Sequence, residues 1–134
     1  MAKGYDTNQQ RKEALSLLGK DLARRAKSKC ELTGESGVSL TTYEVPPVPS
    51  EPDFERCVML SSTVIEALEN PKKIVASEWR ILGEQIWSDI VPVQIIAVRM
   101  LSYIAKSEHW AQEMLDNAYL DDAIVEQANL SPLA

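Results

Sequence analysis

Histidine is nearly missing from this chain of 134 residues, and cysteine is almost as scarce. His109 is the only imidazole, and it lies beside Trp110, so no Ser-His-Asp set can be argued. Cys30 and Cys57 are the only thiols, which rules out a disulfide scaffold. There is no Gly-x-Gly-x-x-Gly and no P-loop, so no nucleotide phosphate is cradled in either of those ways. Gly34-Glu35-Ser36-Gly37 is one residue short of a Gly-x-Ser-x-Gly elbow and reads as a turn. Long apolar runs are absent too: Ile90 to Ala105 is broken by Gln94 and Arg99 and is too short to cross a bilayer. No apolar signal segment is found in "MAKGYDTNQQRKEAL". A cytoplasmic protein with reduced thiols is therefore expected.

What is present is ordinary globular composition, 45% hydrophobic and 25% charged, enough for one compact unit or two small ones sharing a core. The formal charge of −6 is unevenly spread. Residues 1–29 hold eight Lys/Arg against three Asp/Glu, and the remainder six against seventeen, giving +5 and −11. A basic arm on an acidic body suits contact with its own body, a sister subunit or an anionic partner. Lys20, Arg24, Arg25, Lys27 and Lys29 are the candidate contacts for nucleic acid or another anion. No aromatics are interleaved with them for base stacking, so nucleic-acid binding ranks below the other readings.

Leu15, Leu18, Leu22 and Ala26 recur at helical spacing, which predicts an amphipathic helix over 8–28. From Cys30 the pattern changes. "VSLTTYEV" and "ERCVML" read as strands of a two- or three-stranded antiparallel hairpin, and "PPVPSEP" between them cannot hold a ladder. Ser61 or Ser62 can cap a helix that Asn70-Pro71 stops, and Ser77 a second through Ser88. Pro92 suits the first turn of a third, over 91–106, with one broad apolar face. Shorter helices over 108–118 and 121–128 complete the chain. Trp79 and Trp87, two helical turns apart, are expected near one face, either as core or as interface anchors. Asp116, Asp121 and Asp122 fall at predicted helix ends and read as solvated caps.

"KCELTG", "YEVPP", "WRILGEQIWSDIVPVQIIAVRML" and "LDNAYLD", in that order, resemble the PhnA family of small bacterial proteins named after the alkylphosphonate-uptake operon. The likeness runs from about Leu15 to Asp121. It implies a zinc ribbon whose four ligand positions, carried across, are Cys30, Thr33, Ser61 and Val64. Only Cys30 keeps its sulfur. Hydroxyls are poor zinc donors at neutral pH and valine has no donor atom, so no metal and no cofactor are expected. The expected substitute is apolar packing around Val64, with Thr33 and Ser61 hydrogen-bonded to each other.

These readings converge on an α+β protein: a basic amphipathic helix (1–29), a small zinc-ribbon-like hairpin without its metal (30–64), and a helical region (65–134), sharing one core. The expected function is a non-enzymatic binding or adaptor module with a protein partner or a second copy of itself, and no membrane. The family name implies the alternative, an enzyme or ligand-binding protein of organophosphonate metabolism. A concave pocket holding several basic side chains would favour that alternative, and an exposed apolar or charged face the first.

Overall fold

A computed structural model describes residues 2–134, with side chains from residue 9 onward. Six α-helices surround one two-stranded antiparallel sheet among the described residues, an α+β arrangement. In chain order these are α1 (Ala2–Ala26), β1 (Leu40–Glu44), β2 (Cys57–Ser61), α2 (Ser62–Glu69), α3 (Leu82–Gln85), α4 (Val91–Ile104), α5 (His109–Asn117) and α6 (Asp122–Leu130). Tyr43 lies opposite Val58, and Glu44 opposite Cys57.

The hairpin is the middle layer. Every residue of β2 is buried, and the two-residue period of a strand divides them between two clusters. Cys57 and Met59 pack with Leu22 of α1, flanked by Leu15, Leu18 and Ala26. Val58 and Leu60 face the other way, into a cluster with Val64, Leu82, Val93, Ile96, Met100 and Leu101. Fully burying each such aliphatic side chain stabilises by roughly 1.5–3 kcal/mol, so packing on both faces holds a hairpin that would be marginal alone. Cys30 and Leu32 belong to the second cluster, so hairpin and helices share that core.

α4 is more deeply placed than one apolar face suggests. Its buried residues include Val93, Ile95, Ile96, Val98, Arg99, Met100 and Leu101, which point in all directions, because α3, α5, α6 and β2 all pack on it. Pro92 sits in its first turn as expected.

The segment expected as one helix from Ser77 to Ser88 is broken. A 3-10 turn spans Ala76–Trp79, and α3 covers only Leu82–Gln85. Three-residue bonds, Gly83 N to Arg80 O and Trp87 N to Glu84 O, tighten the path. Packing here is close: a Cβ on Gly83 would meet the Met114 sulfur at 2.9 Å. The break also separates the two tryptophans. Trp79 is buried, whereas Trp87 is exposed, so they do not share a face.

α1 ends at Ala26, two residues earlier than expected, where Lys27 and Ser28 take left-handed φ of 56° and 58°. The reversal brings Cys30 N onto Glu35 O at 2.9 Å, and Gly34 and Gly37, at φ of 80° and 71°, complete the turn. No helix among the described residues is long and apolar enough to cross a membrane.

Candidate functional site

Cys30, Thr33, Ser61 and Val64 do converge, but as a dry corner. Cys30 and Val64 are both buried in the larger core cluster. Burial pushes the Cys30 thiol up; the Thr33 hydroxyl and the backbone N–H groups of Ser61, Thr33 and Leu32 outweigh it, leaving the pKa below its ordinary value. The expected direct bond between the hydroxyls is replaced by a bridge. Thr33 Oγ1 donates to Glu35 Oε1 at 3.2 Å, and Ser61 Oγ reaches the same oxygen at 3.4 Å. A carboxylate accepts both hydroxyls at once, which neither hydroxyl can do for the other. Ser61 consequently precedes α2 without a side-chain capping bond.

Cys57 lies on the opposite face of β2 from this corner, and both cysteines are free. His109 is exposed at the start of α5, 3.1 Å from Glu113, rather than packed. Among the described residues no three Cys, His, Asp or Glu side chains are grouped to hold a metal ion. Burial first, then Glu44 and Asp53, push the Cys57 thiol to about 11 from its ordinary 9.0. The folded state therefore holds a proton that the unfolded state releases first, so stability contributed by this thiol is complete below pH 9.0 and declines toward about 11. The loss of unfolding free energy over that interval should be shallower in Cys57→Ala than in the wild type, measured by urea titration at stepped pH. Equal slopes would remove this account.

The five candidate cations of the first helix part company. Arg25 turns inward: Nε and Nη2 each donate at 2.8 Å to the carboxylate of Glu31, and Nη2 also to Cys57 O at 2.8 Å. Glu31 closes the outer edge of β2, its N–H donating to Met59 O and its carboxylate accepting from Met59 N, both at 2.9 Å. Arg25 is thus a structural residue, also stacked over Phe54 at 4.7 Å, and is not available to an anion. Lys20, Arg24, Lys27 and Lys29 remain exposed.

Three further arginines hold the proline-rich loop, a role invisible in the sequence pattern. Arg11 forks onto Glu44 and donates to Pro49 O and Ser50 O, and its pKa is raised by the Glu44 hydrogen bond. Arg56 reaches Pro47 O and Gln127 Oε1. Arg99, buried in α4, donates to Pro46 O, Gln127 O and Ala128 O, so its charge faces helix-end and loop carbonyls. Burial lowers the Arg99 pKa, with Tyr43 opposing and Arg56 assisting.

One exposed aromatic feature was not read from the sequence as a site. Breaking the 76–88 helix turns Trp87 outward, where it meets the ring of Tyr119 edge to face at 6.2 Å and 65°. Trp87 is 53% exposed and Tyr119 91%. Beside them lies a groove of about 310 Å³ lined by Gly83, Ile86, Trp87, Trp110 and Met114 together with Arg80, Glu113 and Asn117. Arg80 covers one face of Trp110 at 4.4 Å. By contrast, no cavity among those described gathers several free basic side chains. The one holding both Arg99 and Lys106 is only about 60 Å³, and Arg99 is engaged by carbonyls. Asp121 caps α6 through Ala123 N, and Asp116 accepts from Gln112, so these carboxylates do structural work at helix termini. No protein-family model, no curated protein and no solved structure matches this chain.

Proposed function

We propose that this chain is a non-enzymatic binding or adaptor module and that the groove beside Trp87 and Tyr119 is its interaction surface. The supporting observation is a pair of large aromatic rings left in water beside an apolar groove. Aromatic side chains in such positions are the usual anchors of protein interfaces, and each loses little conformational freedom on binding. Within this reading the corner at Cys30 is scaffold: it fixes the turn from which β2 and α2 depart. The resemblance to the PhnA family supplies the other reading, a ligand-binding protein or enzyme of organophosphonate metabolism, for which the described cavities offer no cluster of free cations.

The test compares wild type with Trp87→Ala/Tyr119→Ala as bait. A partner recovered by wild type should fall by about tenfold or more with the double variant, as expected when central aromatic anchors are truncated. Equal recovery would move the interface elsewhere. A parallel thermal-shift screen with alkylphosphonates and inorganic phosphate should leave Tm unchanged. A saturable rise of several degrees would favour the phosphonate reading instead.

A further inference from the structure

We propose that the outer edge of β1 pairs antiparallel with the same edge of a second copy of this chain, about a two-fold axis at Thr42, so that two hairpins join in one four-stranded sheet. This edge is separate from the groove, and the inference does not rest on the groove reading.

The register fixes which main-chain groups are open. Met59 turns its N–H and C=O to Glu31 on the outer side of β2, so Thr42 and Met59 face each other as a non-hydrogen-bonded pair. Alternation then points the N–H and C=O of Leu40, Thr42 and Glu44 away from β2, while Thr41 and Tyr43 bond inward. Val45 N, donating to Arg56 O at 2.8 Å, keeps the same phase just past the strand. The sheet has these two strands alone, and among the described residues no hydrogen bond reaches the outward groups of β1.

The two edges of the hairpin therefore differ. β2 is wholly buried, with Glu31 and Arg25 closing its outer side, whereas Thr41 is exposed and the other residues of β1 are half-buried. Edges that must stay apart carry lysine, proline or a bulge. Leu-Thr-Thr-Tyr-Glu has no lysine and no proline, and its register is unbroken.

Self-complementarity selects a second copy. Pairing centred on Thr42 sets Thr42 against Thr42 of the other copy and Leu40 against Glu44, and each pair exchanges its outward groups. Threonine opposite threonine is a favourable cross-strand pair. Glu44, the one charged residue of β1, meets no like charge in this register and is already paired with Arg11. Exposed valines flank the strand, Val38 at 42% before it and Val48 at 48% after it. The axis brings the Val38 end of one copy to the Val48 end of the other, so apolar surface meets apolar surface at both limits of the contact. Because both copies use the same edge, the contact is isologous and closes.

Amide hydrogen exchange of the wild type at low and high protein concentration is the direct test. Leu40, Thr42 and Glu44 should gain about tenfold or more protection at high concentration, whereas Thr41 and Tyr43, bonded to β2, should be protected at both. Sedimentation velocity over the same range should show a monomer passing to a dimer. Thr42→Pro removes an outward donor, which an edge position tolerates, so it should keep the wild-type far-UV spectrum. It should weaken the dimer by about tenfold or more, since the axis doubles each lost bond. Trp87→Ala/Tyr119→Ala should dimerise as the wild type does.

A wild type that stays monomeric up to about 1 mM overturns the proposal. So does exchange at Leu40, Thr42 and Glu44 that ignores concentration, a dimer unchanged by Thr42→Pro, or loss of the dimer in the groove variant. The exchange pattern needs no substitution and decides the matter even if Thr42→Pro does not fold.

Discussion

Thr33→Cys/Ser61→Cys/Val64→Cys is expected to turn the Cys30 corner into a stoichiometric zinc site. Cys30 and Val64 are buried in the same cluster, and Thr33 and Ser61 meet at the Glu35 carboxylate beside them. Three new thiols would complete four sulfur donors, the set a structural zinc needs. Zinc binding to such sites carries an apparent ~10 kcal/mol or more. Here the corner is already folded, so the gain should appear as a large, chelator-reversible rise in Tm. Elemental analysis should find about one zinc per triple variant. The wild type, with Thr33 and Ser61 bound to Glu35 instead, should carry essentially none. Zinc absent from the triple variant would mean that the four positions do not converge closely enough, and zinc in the wild type would refute the dry corner itself.

Arg25→Met is expected to be the most damaging single substitution on α1. Glu31 has a side chain only 2% exposed, and Arg25, at 18%, is its only charged partner among the described residues. Without the guanidinium a carboxylate is left buried with the Met59 N–H as its main donor. Breaking a buried pair from one side costs about 3–5 kcal/mol. That is a large part of the roughly 5–15 kcal/mol that holds such a domain folded. Arg24→Met, one position away on the exposed side, should change stability by only about 0.5 kcal/mol or less. Replacing both partners, Arg25→Met/Glu31→Leu, should recover much of the loss because no unpaired charge remains. Urea unfolding of the four proteins checks this, and a loss below about 1 kcal/mol for Arg25→Met would show that the edge of β2 does not depend on the pair.

The two outcomes separate the roles of the hairpin's two ends. At the Glu31 edge a salt bridge substitutes for a missing third strand, covering backbone groups that would otherwise be open to another chain. At the Cys30 corner Thr33 and Ser61 share the Glu35 carboxylate, and Cys30 and Val64 are buried in the core. Neither Glu31 nor Glu35 stands out in a pattern of hydrophobic spacing. Carboxylates in a turn read as solvated until the tertiary structure shows what covers them.

Periodicity and punctuation made much of the framework legible from sequence. Leucines at three and four announced α1, β-branched runs around a proline loop announced the hairpin, and Asn70-Pro71 and Pro92 marked where helices stop and begin. Those signals are local, and they act within a few residues of where they are written. Side-chain destinations are not local. Whether Arg25 faces water or Glu31, whether Arg99 ends in a core or on carbonyls, and whether Trp87 is buried like Trp79 all depend on residues far away in the chain. The sequence by itself determined most of the elements and their order; packing in three dimensions decided where the 77–88 segment breaks, which charges are structural and which aromatic rings stay exposed, because burial is a property of neighbours that no single segment contains.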